Sequence, residues 1–261
     1  MRVAGSTVVI TGATGGIGAA LARRFATEGA TGLCLSDRPG TPLDALAAEL
    51  SAAGVPTITV EADVADEQQV TALVEAAERE LGRIDLFCAN AGIGTGAGLD
   101  ADPAVWAAAW SVNVMAHVHS ARAVLPGMLA RGHGWLLHTC SAAGLLSSPG
   151  DAPYAVTKHA AVAFAEWLSI EYGDRGIGVS VLCPQGVRTP LLTDGLAAGS
   201  PAALAVARAG TILEPEEVAD ATVTALAEGR FHILPHPEVA EYLRRKATDP
   251  DRWLSAMRRL R

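Results

Sequence analysis

Lysine is almost missing from this chain: of 261 residues only Lys158 and Lys246 are lysine, although arginine is used freely. Aromatic residues are also sparse, at 5%. The net charge of −8 leaves no surplus of cations to match a phosphate backbone, which excludes nucleic acid as a partner. Cysteine occurs four times, as Cys34, Cys88, Cys140 and Cys183, with no C-x-x-C pair. Each lies in or just after a short apolar run, so all four read as buried strand residues rather than metal ligands. No apolar run approaches the ~20 residues that a membrane span needs. The N-terminus enters a strand pattern directly, so no signal peptide is expected. A reducing cytoplasm, with no membrane contact, is the expected setting.

What is present is apolar and small. Half of the residues are apolar and 27 are glycine, a composition suited to helices packed tightly on a sheet. α/β folds of this length often form one unit. Short apolar runs alternate with Ala/Leu/Glu-rich segments. Strands are expected at Val8–Ile10, Gly32–Ser36, Thr57–Val60, Ile84–Ala89, Trp135–Thr139, Gly178–Leu182 and Phe231–Leu234. Helices are expected at Gly16–Glu28, Pro42–Ala53 with Thr41 as cap, Asp66–Leu81, one or two over 103–131, Ala152–Tyr172, and from Glu214 onward. This alternation predicts βαβ units, hence a doubly wound parallel sheet in a single α/β domain over residues 1–261. Signals weaken over Thr193–Gly210, so a lid is expected at about 191–212. A helical tail is expected at about 237–261, where Trp253, Leu254, Met257 and Leu260 recur at helical spacing and predict docking on the body or on a neighbouring subunit. The tail arginines Arg244, Arg245, Arg252, Arg258, Arg259 and Arg261 read as a solvated face.

Thr11-Gly-Ala-Thr-Gly-Gly-Ile-Gly18 follows the first strand and opens a helix. Glycines there let the backbone turn sharply and approach a diphosphate seated on the helix N-terminus. Asp37 ends the next strand, nineteen positions beyond Gly18. A carboxylate there accepts hydrogen bonds from ribose hydroxyls and repels a 2′-phosphate. NAD is therefore expected over NADP, with neighbouring Arg38 as the residue that would greet a phosphate.

Tyr154 and Lys158 are four residues apart, and Ser141 precedes the tyrosine by thirteen. An i, i+4 pair shares one helix face, which puts an ammonium beside a phenol and predicts a lowered tyrosine pKa. A phenolate can take the proton of a secondary alcohol as hydride leaves its carbon. Ser141, at the end of a strand, sits where parallel sheets bind ligands and can orient the substrate oxygen. His117, His119, His138 and His159 read as structural or surface residues, and no metal site is expected.

With these residues in view, the chain resembles the classical short-chain dehydrogenases/reductases over roughly residues 5 to 235. The glycine motif matches the family's Thr-Gly-x-x-x-Gly-x-Gly, and Asn90-Ala-Gly92 matches its sheet-stabilising motif, with Ala89 in place of the first Asn. The resemblance implies a Rossmann fold and a catalytic tetrad of Asn113, Ser141, Tyr154 and Lys158. In it Asn113 interrupts its helix and holds a water leading to Lys158, and Lys158 also holds the nicotinamide ribose. Cofactor contacts are implied at Gly12, Thr14, Gly16, Ile17, Gly18, Asp37, Asp63, Val64, Asn90, Gly92, Tyr154, Lys158, Pro184, Val187 and Thr189. Gln185 departs from the family's usual glycine and either alters the turn or faces the substrate. The expected function is NAD-dependent hydride transfer on a secondary alcohol or ketone, with Tyr154 as general acid/base. The alternatives are an NADP-dependent ketoreductase acting on carrier-bound acyl groups and a non-catalytic cofactor sensor. The apolar lid candidate predicts an uncharged or hydrophobic small-molecule substrate. The family's habit implies a homodimer or homotetramer, packed through about 104–131 and 152–172.

Overall fold

The computed structural model describes residues 1–260, with the side chain of Leu260 and all of Arg261 outside the description. The first half alternates strand and helix: β1 (Thr7–Thr11), α1 (Gly16–Thr27), β2 (Gly32–Asp37), α2 (Asp44–Ala52), β3 (Thr57–Glu61), α3 (Glu67–Leu81) and β4 (Leu86–Ala89). Then come α4 (Pro103–Trp110), a π-helical turn at Ser111–Met115, α5 (Ala116–Ala130), β5 (Gly134–Thr139), α6 (Ala143–Leu146), α7 (Ala152–Tyr172) and β6 (Ile177–Leu182). The remainder is β7 (Gly186–Val187), α8 (Pro190–Ala197), α9 (Pro201–Ala209), β8 (Ile212–Leu213), α10 (Pro215–Ala227), β9 (His232–Ile233), α11 (Glu238–Thr248) and α12 (Pro250–Met257).

Seven strands form one sheet in the order β3-β2-β1-β4-β5-β6-β9, and every neighbouring pair is parallel. The central strands are buried on both faces, as the Thr-Val-Val-Ile-Thr of β1 requires. One core layer packs Leu73, Met128, Ala161 and Leu168 of α3, α5 and α7 against the sheet. The other packs Leu21, Phe25, Leu46 and Leu226 of α1, α2 and α10 on the opposite face. The chain leaves β1 for β2 and β3 on one side and returns to β4 on the other. That reversal opens a crevice at the C-terminal ends of β1 and β4.

Local chemistry explains most boundaries. Asp66 caps α3 by accepting from the N–H of Gln68 at 2.8 Å and of Gln69 at 3.3 Å, and Gly82 ends the helix with φ +81°. Glu214 and Glu217 form a reciprocal cap on α10, with Pro215 in its first turn. The start of α2 differs from expectation. Helix α2 begins at Asp44 rather than Pro42, and Thr41 does not cap it. The Thr41 hydroxyl instead donates to Arg38 O at 2.7 Å, closing the turn after β2. Within 103–131 the helix is split by the π-helical turn.

The stretch expected to be weakly structured is two short helices, α8 and α9, each with proline in its first turn. Its ends are joined by β7 and β8, which pair in parallel as a separate two-stranded sheet. In the tail, Trp253 packs against Tyr242 with ring centroids 6.0 Å apart, and Met257 is half-buried. Leu254, at 51% exposure, does not pack on the body of the chain. Arg244 and Arg245 pair with Glu241 on an exposed face.

Candidate active site

The glycine turn joins β1 to α1 at the crevice. Gly12 has φ +63°, and a Cβ there would lie 2.9 Å from Ala91 Cα, so turn and β4 loop touch backbone to backbone. A Cβ on Gly16 would lie 2.7 Å from Thr189 Cγ2, which places the turn against the segment after β6. Helix α1 starts without any side-chain cap, so the N–H groups of its first turn remain for an anion. Ile17 lies in that first turn and is half-buried. Of the expected contacts after β6, Pro184 and Val187 are buried and Thr189 is half-buried.

Asp37 ends β2 beside this turn, and its carboxylate is already engaged. Oδ2 accepts from the Thr14 N–H at 3.0 Å and the Thr14 hydroxyl at 2.6 Å, while Oδ1 accepts from Arg38 N–H at 2.8 Å. Asp37 thus pins the glycine turn as well as presenting a charge. An open cavity of about 490 Å³ adjoins it, lined by Arg38, Pro39, Gly40, Thr41 and Asp63. Its size, its neighbours and its place at the end of β2 fit the adenosine half of a dinucleotide. Asp63 accepts from Ala65 N–H at 3.0 Å, which fixes the bend after β3. Val64 is buried, and its carbonyl accepts from His119 Nδ1 at 3.2 Å.

Asn90 acts as a strut. Its amide nitrogen donates to Thr11 O at 3.0 Å and Gly12 O at 3.2 Å, and its Oδ1 accepts from the Thr139 hydroxyl at 2.9 Å. One side chain therefore ties the ends of β1, β4 and β5 together.

Asn113 lies inside the π-helical turn, fully buried. Such turns widen a helix and often mark functional sites. Its amide holds both backbone groups of Ile93, accepting from N–H and donating to O at 2.9 Å each. It also donates to the Thr157 hydroxyl at 3.1 Å. Lys158 is buried, and its Nζ donates to Thr139 O at 3.0 Å. A Cβ on Gly92 would lie 3.1 Å from that Nζ and 3.3 Å from Asn113 Oδ1. The absent side chain keeps this corner open to the crevice.

Tyr154 follows on the same helix face. Lys158 Nζ lies 5.6 Å from its ring centroid. Ser141 is buried two residues past β5, and its Oγ accepts from Ala143 N–H at 3.1 Å. The structure thus brings all four tetrad residues to the crevice. It overturns the expected lowered pKa of Tyr154. Desolvation by the surrounding protein pushes the phenol up to about 12, with Asp151, Cys140 and Cys183 adding to the rise. The Ser141 hydrogen bond opposes it only in part. Burial likewise lowers the pKa of Lys158.

Gln185 does not point to the crevice. Its Oε1 lies next to Gly210 at the end of α9, and that oxygen is buried without a partner. Its backbone N–H donates to His236 Nδ1 at 3.1 Å, while His236 Nε2 donates to Gly186 O at 3.1 Å. His236, which the sequence did not single out, therefore clasps the base of the α8–α9 segment. His159 meets the tail: Lys246 donates to Leu145 O at 2.6 Å and lies 3.4 Å from His159 Nε2. Asp151 was also not singled out, although an Asp two positions before Pro153 is a helix-start signal. Nearby Ser147 has φ +85° and ψ 168°, a strained conformation for a residue with a side chain. Among the described residues no group of three or more His, Cys, Asp or Glu is placed to hold a metal. None of the described helices is long and apolar enough to cross a membrane.

The fold and the grouping of Tyr154, Lys158, Ser141 and Asn113 around a dinucleotide crevice define an oxidoreductase of the Rossmann type. The family model for short chain dehydrogenases matches residues 6–197, and the chain belongs to that family. It is similar to a 1-deoxy-11-beta-hydroxypentalenate dehydrogenase of Streptomyces exfoliatus, with 36% identity covering 98% of this chain and 92% of the relative. Among solved structures it is similar to a short chain dehydrogenase/reductase from Burkholderia phymatum in complex with NAD (TM-score 0.87, 33% identity, 96% of both chains). It is also similar to a short-chain dehydrogenase from Sphingobium yanoikuyae in complex with NADPH (TM-score 0.79, 30% identity, 95% of this chain and 93% of that one). The protein is an NAD(P)-dependent oxidoreductase acting on CH–OH groups.

Proposed function

We propose that this enzyme uses NAD to interconvert a secondary alcohol and its ketone, with Tyr154 as general acid/base. The bound nicotinamide supplies the hydride acceptor or donor. Tyr154 Oη takes the substrate hydroxyl proton in oxidation and returns it in reduction. Ser141 Oγ, its direction limited by the Ala143 N–H, orients the substrate oxygen. Lys158 holds its ammonium near the phenol and the nicotinamide ribose. Asn113 keeps the helix open at the π-helical turn and braces the Ile93 loop. The observation that carries this reading is the convergence of these four side chains at the mouth of the β1/β4 crevice. A cofactor sensor would need the crevice but none of this proton-transfer machinery.

NAD is favoured by the Asp37 carboxylate at the end of β2. A 2′-phosphate would stand against that charge. The second reading, an NADP-dependent ketoreductase, draws on Arg38, which lines the adjoining cavity. Substrate size is guarded by the α8–α9 segment, which we assign as a lid. Its exposed Leu191 and Leu204 favour a mostly apolar substrate. The name of the Streptomyces exfoliatus relative, a hydroxypentalenate dehydrogenase, agrees with a hydroxylated substrate of this kind. We further propose a homodimer or homotetramer through α4, α5 and α7, where Trp110, Trp167 and Ile170 stand exposed. Turnover of a panel of secondary alcohols and ketones with NAD and NADP tests the reading. Higher kcat/KM with NAD on an apolar alcohol supports it; no turnover with either cofactor would sink it.

A further inference from the structure

Asp151 is buried, at 4% exposure, and sits as the cap of α7 three residues before Tyr154. Four donors converge on its carboxylate. Oδ2 accepts from Thr95 N–H at 2.8 Å and Gly96 N–H at 2.7 Å. Oδ1 accepts from the Thr95 hydroxyl at 2.5 Å and from Tyr154 N–H at 3.1 Å. Every partner is a donor, the pattern that an acceptor-only carboxylate requires. Among the described residues no Lys, Arg or His forms an ion pair with it. A cap on an exposed helix needs no such enclosure. This one encloses a carboxylate that four donors hold and no cation pairs with, three residues ahead of Tyr154.

The Asp151 carboxylate joins the Thr95–Gly96 loop to the first turn of α7, and backbone around both ends lies against the α8–α9 segment. Thr95 and Gly96 belong to the loop that Asn113 grips at Ile93. A Cβ on Gly94 would lie 3.1 Å from Leu191 Cδ1 of the lid, and one on Gly150 would lie 2.8 Å from Ala202 N of α9. Ala152 N–H donates to Ala97 O at 2.9 Å, a second tie between the loop and α7.

We propose that Asp151 is a positioning residue that holds the proton on Tyr154, through a buried carboxylate hydrogen-bonded to the Tyr154 backbone N–H and anchored to the Thr95–Gly96 loop. The proposal rests on Tyr154 as the general acid/base. The charged and titratable groups around Tyr154 are Lys158 of α7, Asp151 that caps α7, Cys140 and Ser141 just past β5, and Cys183 just past β6. Of these, Lys158 alone is a cation, and it opposes Asp151. A negative charge close to a phenol disfavours the phenolate, so the neutral acid persists to higher pH.

The test compares Asp151→Asn and Asp151→Ser, which remove the charge, with Asp151→Glu, which keeps it. Serine retains a capping oxygen for the Tyr154 N–H. Two readouts are taken: the pH profile of kcat/KM for alcohol oxidation, and tyrosinate absorbance in cofactor-free protein. Tyr154→Phe identifies the Tyr154 signal among the three tyrosines of the chain. In the neutral variants both the rising limb of oxidation and the Tyr154 absorbance step should move to lower pH by roughly one unit, the scale of a single nearby charge. Asp151→Glu should stay near wild type. Unmoved profiles in a folded neutral variant would overturn the proposal. So would loss of the fold in both neutral variants with Asp151→Glu intact, which would make Asp151 purely structural. If Tyr154→Phe proved active, the catalytic reading would fail, while the absorbance titration would still report on Asp151.

Discussion

Lys158 and Tyr154 share a helix face, with the ammonium 5.6 Å from the ring centroid, yet the ammonium gives its hydrogen bond to Thr139 O at 3.0 Å. The lysine is thus fixed by the sheet rather than by the phenol. It stands as a positioned charge between the tyrosine and the Gly92 corner of the crevice.

Tyr154→Phe should keep the fold and the cofactor site while removing the proton carrier. General acid–base catalysis contributes ~10²–10⁴-fold, so kcat should fall by at least that much. Dinucleotide affinity, measured by calorimetry or fluorescence, should stay close to wild type. A variant retaining a tenth of the wild-type kcat would remove Tyr154 from its role.

Lys158→Met should shift alcohol oxidation to higher pH. Burial raises the Tyr154 pKa, and the Lys158 ammonium stands 5.6 Å from the ring centroid, where a positive charge favours the phenolate. Oxidation uses the phenolate, so losing the cation moves the rising limb upward. The Kd for NAD should rise as well, because the same Nζ faces the ribose corner. An unchanged limb with weakened binding would leave Lys158 a binding residue only.

Much of this was legible where a local rule decides the structure. Asp66 and Gly82 bracket α3, and the Val8–Ile10 run is buried on both faces, as such a run in a parallel sheet must be. The i, i+4 spacing places Lys158 beside Tyr154 for the same reason. The ionisation of Tyr154 was not legible, because spacing reports neighbours and not desolvation. Asp151 was overlooked for a related reason: its donors Thr95 and Gly96 are more than fifty positions away in sequence. Helices α8 and α9 hide in Ala- and Gly-rich sequence with little apolar periodicity, although Pro190 and Pro201 mark their first turns. Thr41 fails as a cap because its hydroxyl finds a nearer carbonyl at Arg38.

His117 and His138 predict acid sensitivity. Their Nδ1 atoms are 2.9 Å apart, both rings are buried, and neither Nε2 has a partner. Desolvation lowers His138 to about 4, and it lowers His117 well below its ordinary value, helped by His138 and Lys158. In the unfolded chain both rings bind protons near pH 6.5. Between there and the folded-state values the unfolded state holds more protons, so stability falls as pH falls. The stabilisation is fully present above about 6.5 and is lost progressively toward about 4. Thermal unfolding from pH 7.5 to 5 should show a falling Tm. The double variant His117→Leu/His138→Leu should flatten that slope, and an equally steep slope would clear the pair of responsibility.

Asp37→Ala should act twice. The carboxylate repels a 2′-phosphate, so its removal should narrow or reverse the preference for NAD, with Arg38 left to receive the phosphate. The same carboxylate holds Thr14 through both the backbone N–H and the hydroxyl. Its loss frees the glycine turn, so the KM for both cofactors should rise. Asp37→Asn separates the effects, because an amide oxygen can still accept from Thr14 while the charge is gone. With Asp37→Asn, the ratio of kcat/KM for NAD to that for NADP should fall by roughly tenfold or more, the scale of one charge-assisted hydrogen bond. Its KM for NAD should rise less than in Asp37→Ala. If wild type already preferred NADP, the NAD assignment would fall and the ketoreductase reading would take its place.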